Sequence, residues 1–199
     1  MRVTTESPVD GRARRKRDTM ARVQAAALDL FEARGFAAVP IEAIAAAAGV
    51  GPATIYRNFG SKERLVLWDE YDPLLLEALM AALAEVDVLT AVQQALASSL
   101  AGIYRDDRER ILRRARLIRS TPALTIAAAA DQQALRTAIG GVLRASGHAR
   151  DELAAQVFAG AIGAAIAAGL DRWLDGDGHE PLARCFRMAL ARLRSLASA

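Results

Sequence analysis

The sequence predicts an all-α fold, with a small N-terminal domain of short helices followed by a larger helical domain. Alanine, the strongest helix former, accounts for 45 of the 199 residues. Apolar residues recur at the helical period through most of the chain, and no segment alternates as a strand would. This length allows one domain, or a small module joined to a larger one, and is shorter than the ~250 residues of a typical barrel enzyme.

Positive charge is concentrated at the N-terminal end. Residues 1–65 contain 11 Lys and Arg against 7 Asp and Glu, a net charge of +4, whereas residues 66–199 contain 15 against 16, a net charge of −1. Such a division is expected when one end of a protein meets a polyanion. Residues 1–17 are predicted to form a disordered basic arm, which is either a solvated tail or an arm that lies along a phosphate backbone or in a minor groove.

The first two predicted helices are separated by a glycine. The first runs from about Thr19 to Arg34, and Gly35 ends it. The second spans Ile41–Ala48, where a run of alanines permits another helix to approach closely. Gly49 then allows a tight turn with a positive φ. This arrangement is typical of the first half of a helix-turn-helix.

The third predicted helix runs from Pro52 to Phe59 and has two unlike faces. Ile55 and Phe59 lie four residues apart and are expected to face the core. The other side chains are expected to point toward solvent or DNA, which completes the pattern of a helix-turn-helix. A fourth helix starts at Lys62, with Ser61 as its N-cap. The outward residues of the third helix are Pro52, Ala53, Thr54, Tyr56, Arg57 and Asn58.

The chain beyond Pro73 is predicted to be helical throughout, with segments at 73–86, 91–104, 107–119, 122–145, 151–174 and 181–197. The stretch Leu153–Leu170 has the length and apolarity of a membrane span. Its large side chains, however, form an i, i+4 ridge flanked by small residues, which favours close helix packing and no membrane contact. The last two helices are therefore predicted to form a dimer seam, with close approach at Gly160, Gly163, Ala164 and Ala167.

The segment from Phe31 to Leu65 resembles the DNA-binding region of the TetR/AcrR family of bacterial regulators. The resemblance covers about residues 18–68 and implies a homodimeric repressor that a small molecule releases from its DNA operator. It implies a DNA-binding domain at 18–68 and an effector-binding and dimerisation domain at 69–199. The matching positions are Gly35-Phe36, Ile44-Ala45, Ala48-Gly49-Val50, Thr54-Ile55-Tyr56, Phe59 and Ser61-Lys62-Glu63.

The resemblance also implies roles for single residues. Thr54 and Tyr56 match family positions that contact DNA, and Lys62 matches the phosphate-binding lysine. A guanidinium such as that of Arg57 has the geometry to bind guanine through two hydrogen bonds, and Asn58 is suited to phosphate or adenine. The chain departs from the family at two positions, since Pro40 and Gly51 stand where threonine and serine are common caps.

The larger domain is expected to hold an effector cavity between its helices. Residues 113–124 resemble regulators with mycofactocin-regulator-like effector domains, and this resemblance implies acyl-CoA as one effector. The alternative for each candidate pocket residue is that it is an ordinary core residue. The candidates are Trp68, Tyr71, Leu75, Tyr104, Leu117, Phe158 and Ile162.

A series of arginines occupies residues 105–119. Pairs at i, i+4 predict ion pairs of Arg110 with Asp106 and of Arg113 with Glu109 on a solvated face. No such partner is available for Arg114, Arg116 and Arg119. These three are expected to serve an anionic ligand or the interface with the N-terminal domain.

Nothing in the sequence favours catalysis. No nucleophile lies in a recognisable setting, and no glycine-rich phosphate loop follows a strand. The single cysteine, Cys185, cannot form an internal disulfide, and His148 and His179 cannot build a histidine-rich metal site. We therefore expect a cytoplasmic regulator without metal or cofactor. A helical enzyme and a ligand-independent activator remain the alternatives.

Overall fold

Ten helices make up the part of the chain that the computed structural model describes, residues 8–68 and 72–197, and these ranges contain no strand. The sequence therefore predicted the fold class correctly. The helices are α1 (Pro8–Arg34), α2 (Ile41–Ala48), α3 (Pro52–Phe59), α4 (Lys62–Leu67), α5 (Asp72–Leu83), α6 (Val88–Asp106), α7 (Arg108–Ser120), α8 (Pro122–Ala145), α9 (Glu152–Asp175) and α10 (Leu182–Ala197).

Helices α1 and α6 begin several residues before the positions that the sequence predicts. The prediction of a disordered arm is wrong for residues 8–17, because these residues belong to α1. Residues 1–7 lie outside the described part. Arg, Ala and Lys are good helix formers, so a helix nucleated by the packed residues after Thr19 extends at little cost. Helix α6 begins at Val88 because Asp87 is its cap, accepting hydrogen bonds from Leu89 N at 3.1 Å and Thr90 N at 3.2 Å.

The four N-terminal helices enclose one core. Phe31, Ile44, Ile55 and Leu65 are all almost fully buried, one from each of α1, α2, α3 and α4. Leu124 of α8 is fully buried in the same cluster. The second domain therefore completes the core of the first, and α8 packs directly against the N-terminal helices.

The larger core is built from residues of α5 to α10, with α9 packed between α8 and α10. Trp173, Leu143 and Leu190 are among its most buried side chains. Gly163 faces α8 rather than a free surface, since a methyl group there would lie 3.3 Å from Cγ and Cδ of Arg136. Gly163 therefore lies against α8 in the monomer, and its place in a dimer seam stays a prediction.

Helix α9 also has an apolar outer face. An 18-residue window of this helix has a mean hydropathy of 1.8, and 28% of that window is buried inside the protein. Its length and composition alone would therefore allow a membrane span. Leu153, Val157 and Phe158 are exposed by 71%, 59% and 45%. These neighbouring apolar side chains form a surface that a monomer leaves uncovered.

Candidate functional site

The turn between α2 and α3 is built on backbone geometry. Gly49 adopts a left-handed conformation, with φ 66° and ψ 36°. The following Val50 N donates to Ala45 O at 3.0 Å, and the half-buried Val50 side chain packs against the N-terminal core. Gly49 thus ends α2 in the way the sequence predicts, because glycine tolerates positive φ without strain. The turn directs α3 away from α2.

Both positions that depart from the family pattern lack a side-chain cap. Pro40 and Gly51 have extended backbones before α2 and α3, and neither makes a side-chain cap hydrogen bond. The Gly51 carbonyl nevertheless accepts a hydrogen bond from Thr54 N at 2.9 Å. Pro52 occupies the first turn of α3, where its fixed φ favours helix entry. The two helices therefore form without the missing hydroxyl groups.

Helix α3 turns one face to the core and the other outward. Ile55 and Phe59 are buried, whereas Tyr56 is 53% exposed. Arg57 is exposed too, and its Nη2 donates to Thr54 Oγ1 at 3.4 Å. This outer face, which we call the α3 surface, carries planar, hydroxyl and cationic groups. Pro52 and Ala53 complete its exposed part, while Thr54 and Asn58 are half-buried at its margins.

Lys62 makes its contacts within the domain. Its Nζ donates to the carbonyls of Phe36 at 2.8 Å, Val39 at 3.1 Å and Ala37 at 3.4 Å. It also lies 4.5 Å from the centre of the Phe36 ring. These contacts tie the loop between α1 and α2 to the start of α4. Binding of DNA phosphate by Lys62 stays a prediction.

Gln24 is a functional candidate that sequence reasoning missed. It is 99% buried, and its Nε2 donates to Leu65 O at 3.0 Å, Val66 O at 3.2 Å and Trp68 O at 2.9 Å. Its Oε1 accepts a hydrogen bond from Arg110 at 3.3 Å. One amide thus holds the end of α4 against α1 and α7. The sequence did contain a signal for this role, because Gln24 is a lone polar residue on the apolar stripe of α1.

Arginines of helix α7 form hydrogen bonds and ion pairs with the N-terminal domain. Arg113 donates to Glu32 Oε1 through Nε and to Asp29 Oδ1 through Nη2, at 2.7 and 2.6 Å. The hydrogen bonds to Glu32 and Asp29 raise the pKa of the Arg113 guanidinium further above its ordinary value. Arg114 Nη1 donates to Trp68 O at 2.7 Å. The predicted local pair of Arg113 with Glu109 is wrong, because α1 supplies the carboxylates instead.

Arginines on the opposite face of α7 form ion pairs and hydrogen bonds with the end of α9 and the loop that follows it. Arg116 Nη2 lies 2.8 Å from Asp177 Oδ1, and Arg119 Nη1 lies 2.7 Å from Asp175 Oδ1. Arg108 Nη2 donates to Gly178 O at 2.8 Å. Arg116 and Arg119 therefore have partners that the sequence did not reveal. Helix α7 connects the N-terminal domain to the corner between α9 and α10.

The predicted pocket residues whose side chains the structure describes do not converge on one site. Leu75 and Ile162 line a shared apolar cavity of only about 10 Å³, close to the size needed for one water molecule. Leu117 packs against the N-terminal core, and Phe158 lies on the outer surface. Tyr71 and the side chain of Tyr104 lie outside the described residues.

Trp68 lines a larger groove between the two domains. The groove has a volume of about 350 Å³. Arg64 and Asp131 both line it and form an ion pair, with 2.8 Å between Arg64 Nη1 and Asp131 Oδ1. The groove joins the end of α3 to α4, α5 and α8. The other lining residues are Asn58, Phe59, Leu67, Leu76, Ala134, Leu135 and Ala138.

Metal chemistry and thiol reactivity have little support here. In residues 8–68 and 72–197, no group of three or more His, Cys, Asp or Glu side chains is placed to hold a metal ion. Cys185 is buried, and burial raises the pKa of its thiol. A buried thiol with a raised pKa is a poor nucleophile.

Comparison with protein families decides the assignment. Residues 24–67 match the family described as "Bacterial regulatory proteins, tetR family". Residues 86–197, more than half of the chain, match the family described as "MftR C-terminal domain". The chain belongs to the TetR family. This TetR-family protein is a DNA-binding transcriptional regulator with an MftR-type C-terminal domain, and its family is not enzymatic.

One sequence relative agrees with this assignment, and two solved structures share the fold. The regulator is 31% identical over 121 residues to the mycofactocin biosynthesis transcriptional regulator MftR of Mycobacterium tuberculosis, an alignment spanning 59% of this chain and 60% of that protein. A SmeT complex with triclosan has a TM-score of 0.61 and 18% identity, covering 90% of this chain and 91% of SmeT. FadR of Thermus thermophilus with lauroyl-CoA has a TM-score of 0.55 and 23% identity, covering 87% and 92%.

Proposed function

We propose that this TetR-family regulator is a cytoplasmic homodimeric repressor that binds an operator through α3 and is released by a small molecule. The observation that supports this proposal most directly is the exposed α3 surface. Two of its members, Tyr56 and Arg57, are exposed while the neighbouring Ile55 is buried, so the polar side is free to enter a major groove. The family supports DNA as the partner.

Within the α3 surface, we assign base reading to Arg57 and close contact to Thr54 and Tyr56. The Arg57 guanidinium is planar and exposed, with only the weak 3.4 Å contact to Thr54 to displace. A guanidinium in this setting can donate two hydrogen bonds to O6 and N7 of guanine. Asn58, at the margin of this surface, and Lys62, at the start of α4, would position the helix on phosphate groups rather than specify sequence. Pro52 and Ala53 would lie against the groove wall.

Arg57→Ala tests the base-reading assignment. We expect it to weaken binding by about 1–3 kcal/mol, roughly 5- to 150-fold, on operator duplexes that the wild-type protein selects from a random library. Binding to unselected duplexes should change little, since a base contact adds nothing to non-specific affinity. Fluorescence anisotropy with both duplexes measures the difference. Arg150→Ala, at an exposed arginine in the loop between α8 and α9, is the matched control. Equal losses on both duplexes for Arg57→Ala would contradict the assignment.

The dimer is proposed to form through α9 and α10. Leu153, Val157, Gly160 and Ala164 follow one another at intervals of three or four residues, so they lie along one side of α9. A methyl group on Gly160 would meet nothing within 4 Å in the monomer, so this part of α9 is open. Two copies would bury the stripe in a four-helix bundle with α10.

Release is proposed to act through α7. Its two arginine faces connect α1 and α4 to the end of α9, so a shift of the helical body would be transmitted to the N-terminal domain. In a dimer, that shift would change the spacing of two α3 helices that must match half-sites about 34 Å apart. The effector would prefer the mismatched form and move the population toward it.

An acyl-CoA is the proposed effector. The FadR relative is described in complex with lauroyl-CoA, and in this chain Leu75 and Ile162 line an apolar cavity inside the helical domain. That cavity holds about 10 Å³, so an acyl chain would have to part α5 from α8 and α9. Such a displacement is the kind of movement that α7 would pass to the N-terminal domain.

Calorimetry with lauroyl-CoA tests the effector. We expect saturable binding with a dissociation constant in the micromolar range, and a negative heat-capacity change because the chain buries apolar surface. Coenzyme A without an acyl group is the control and should bind much more weakly. Added lauroyl-CoA should also dissociate the selected operator. No heat at micromolar ligand would remove acyl-CoA while leaving the DNA-binding proposal intact.

A further inference from the structure

The first turns of α1 lie outside the N-terminal core. Among the side chains of α1 that the structure describes, Met20 is the first that is buried, and none of those between 11 and 19 is. We call residues 8–19 the N-terminal extension. At about 1.5 Å per residue, it spans roughly 18 Å. Because the helix is continuous, this segment projects as a rod from the same domain that carries α3.

The N-terminal extension carries a basic face. Arg12, Arg15 and Lys16 are separated by three and four residues, so they share one side of the helix. All three are exposed, and none forms an ion pair within the described part of the chain. Like charges at these spacings repel and destabilise an isolated helix. An anionic partner on this face would remove that repulsion.

We propose that the N-terminal extension is a second DNA-binding element, in which Arg12, Arg15 and Lys16 bind phosphate groups beyond the base pairs that α3 reads. The proposal rests on the proposed function, because it takes the same duplex as the partner. The residues after 65 carry a net charge of −1, so most of the excess positive charge of the chain lies in this domain. A membrane surface is a poorer partner, because the sequence of the extension contains Pro8, Val9 and Ala13 as its apolar residues and no large apolar side chain to insert.

Salt dependence of DNA binding tests this element. The probe is a fluorescent 30-base-pair duplex of random sequence, titrated with full-length protein at several KCl concentrations. For the triple variant Arg12→Gln, Arg15→Gln and Lys16→Gln, we expect affinity at low salt to fall at least tenfold. The slope of log affinity against log salt should decrease by about 0.9 for each phosphate group that the variant no longer binds. Tm should stay unchanged, because the three side chains contribute nothing to the core, and helicity should not fall, because the substitutions remove like-charge repulsion within the extension.

A charge-matched triple variant separates phosphate binding from net charge. Arg150→Gln, Arg187→Gln and Arg192→Gln remove the same charge from exposed positions outside the DNA-binding domain. Because Arg187 and Arg192 lie on α10, sedimentation velocity first verifies that this variant has the same oligomeric state as the wild type. We expect the slope of this control to remain near that of the wild type. Equal slopes for the two triple variants, or a wild-type slope for the first, would overturn the second element while α3 binding stands. A wild-type protein that binds no duplex at any salt concentration would overturn the proposed function and this inference together.

Discussion

Val157→Asp is expected to convert the dimer into monomers. In the proposed seam, each copy would place one carboxylate among apolar side chains and close to the same carboxylate of its partner. An unpaired buried charge costs about 3–5 kcal/mol, so the dimer dissociation constant should rise by about a hundredfold or more. Sedimentation velocity over a range of protein concentrations measures this change. Operator affinity should fall with it, because a monomer contacts only one half-site.

Met80→Asp is the matched control for the dimer. Met80 is 60% exposed and Val157 is 59% exposed, so the two substitutions remove comparable apolar surface from the monomer. Met80 lies on α5, away from the proposed seam, and Met80→Asp should leave the dimer intact. If Val157→Asp sediments as the wild type does, α9 is not the seam. Dissociation by both variants would indicate a general loss of structure.

Gly169→Ala is expected to destabilise the helical domain by about 1–3 kcal/mol. A methyl group on Gly169 would lie 2.7 Å from Cδ1 of Phe186, 3.1 Å from its Cα and 3.2 Å from Cys185 O. Two of these atoms belong to the backbone of α10, and the Phe186 ring is buried, so α9 and α10 must separate. For a protein of this size we expect Tm to fall by several degrees, at about 2–4 °C for each kcal/mol.

Gly141→Ala is the matched control, and we expect it to stabilise the protein where Gly169→Ala destabilises it. Gly141 lies inside α8, is exposed, and would present its methyl group to no atom within 4 Å. Alanine is favoured over glycine within a helix, so this variant should be more stable by about 0.5–1 kcal/mol. Urea unfolding followed by circular dichroism measures both variants. Equal stabilisation by the two substitutions would show that the packing of α9 on α10 tolerates a methyl group.

Helix boundaries could be predicted where the signal is local. Ser61 Oγ accepts from Arg64 N at 3.2 Å, and Asp151 Oδ1 accepts from Ala154 N at 2.8 Å, both within the first turn of the helix they cap. Gly35 and Gly49 end α1 and α2 with positive φ. Such signals involve residues three or four apart, so the sequence displays them directly. The extension of α1 was missed because its polar residues have no core face to reveal a helix.

The α3 surface could also be predicted, whereas its supports could not. The spacing of Ile55 and Phe59 decides which side of α3 is buried, and Tyr56 and Arg57 then face outward. The supports come from distant parts of the chain. Lys62 bonds to Phe36, which lies 26 residues away, and Gln24 bonds to Leu65 across 41 residues. No local pattern specifies such pairs.

The arginines of α7 show which properties the sequence determined by itself and which it did not. Composition, helical period, caps and turn glycines determined the all-helical fold, the helix-turn-helix and the outward side of α3, because those properties depend on near neighbours along the chain. Only the tertiary structure decided that Arg113 binds Asp29 and Glu32 rather than Glu109, and that Arg116 and Arg119 bind the end of α9. The physical reason is that a guanidinium pairs with whichever carboxylate packing brings within hydrogen-bond distance, and packing joins helices far apart in sequence.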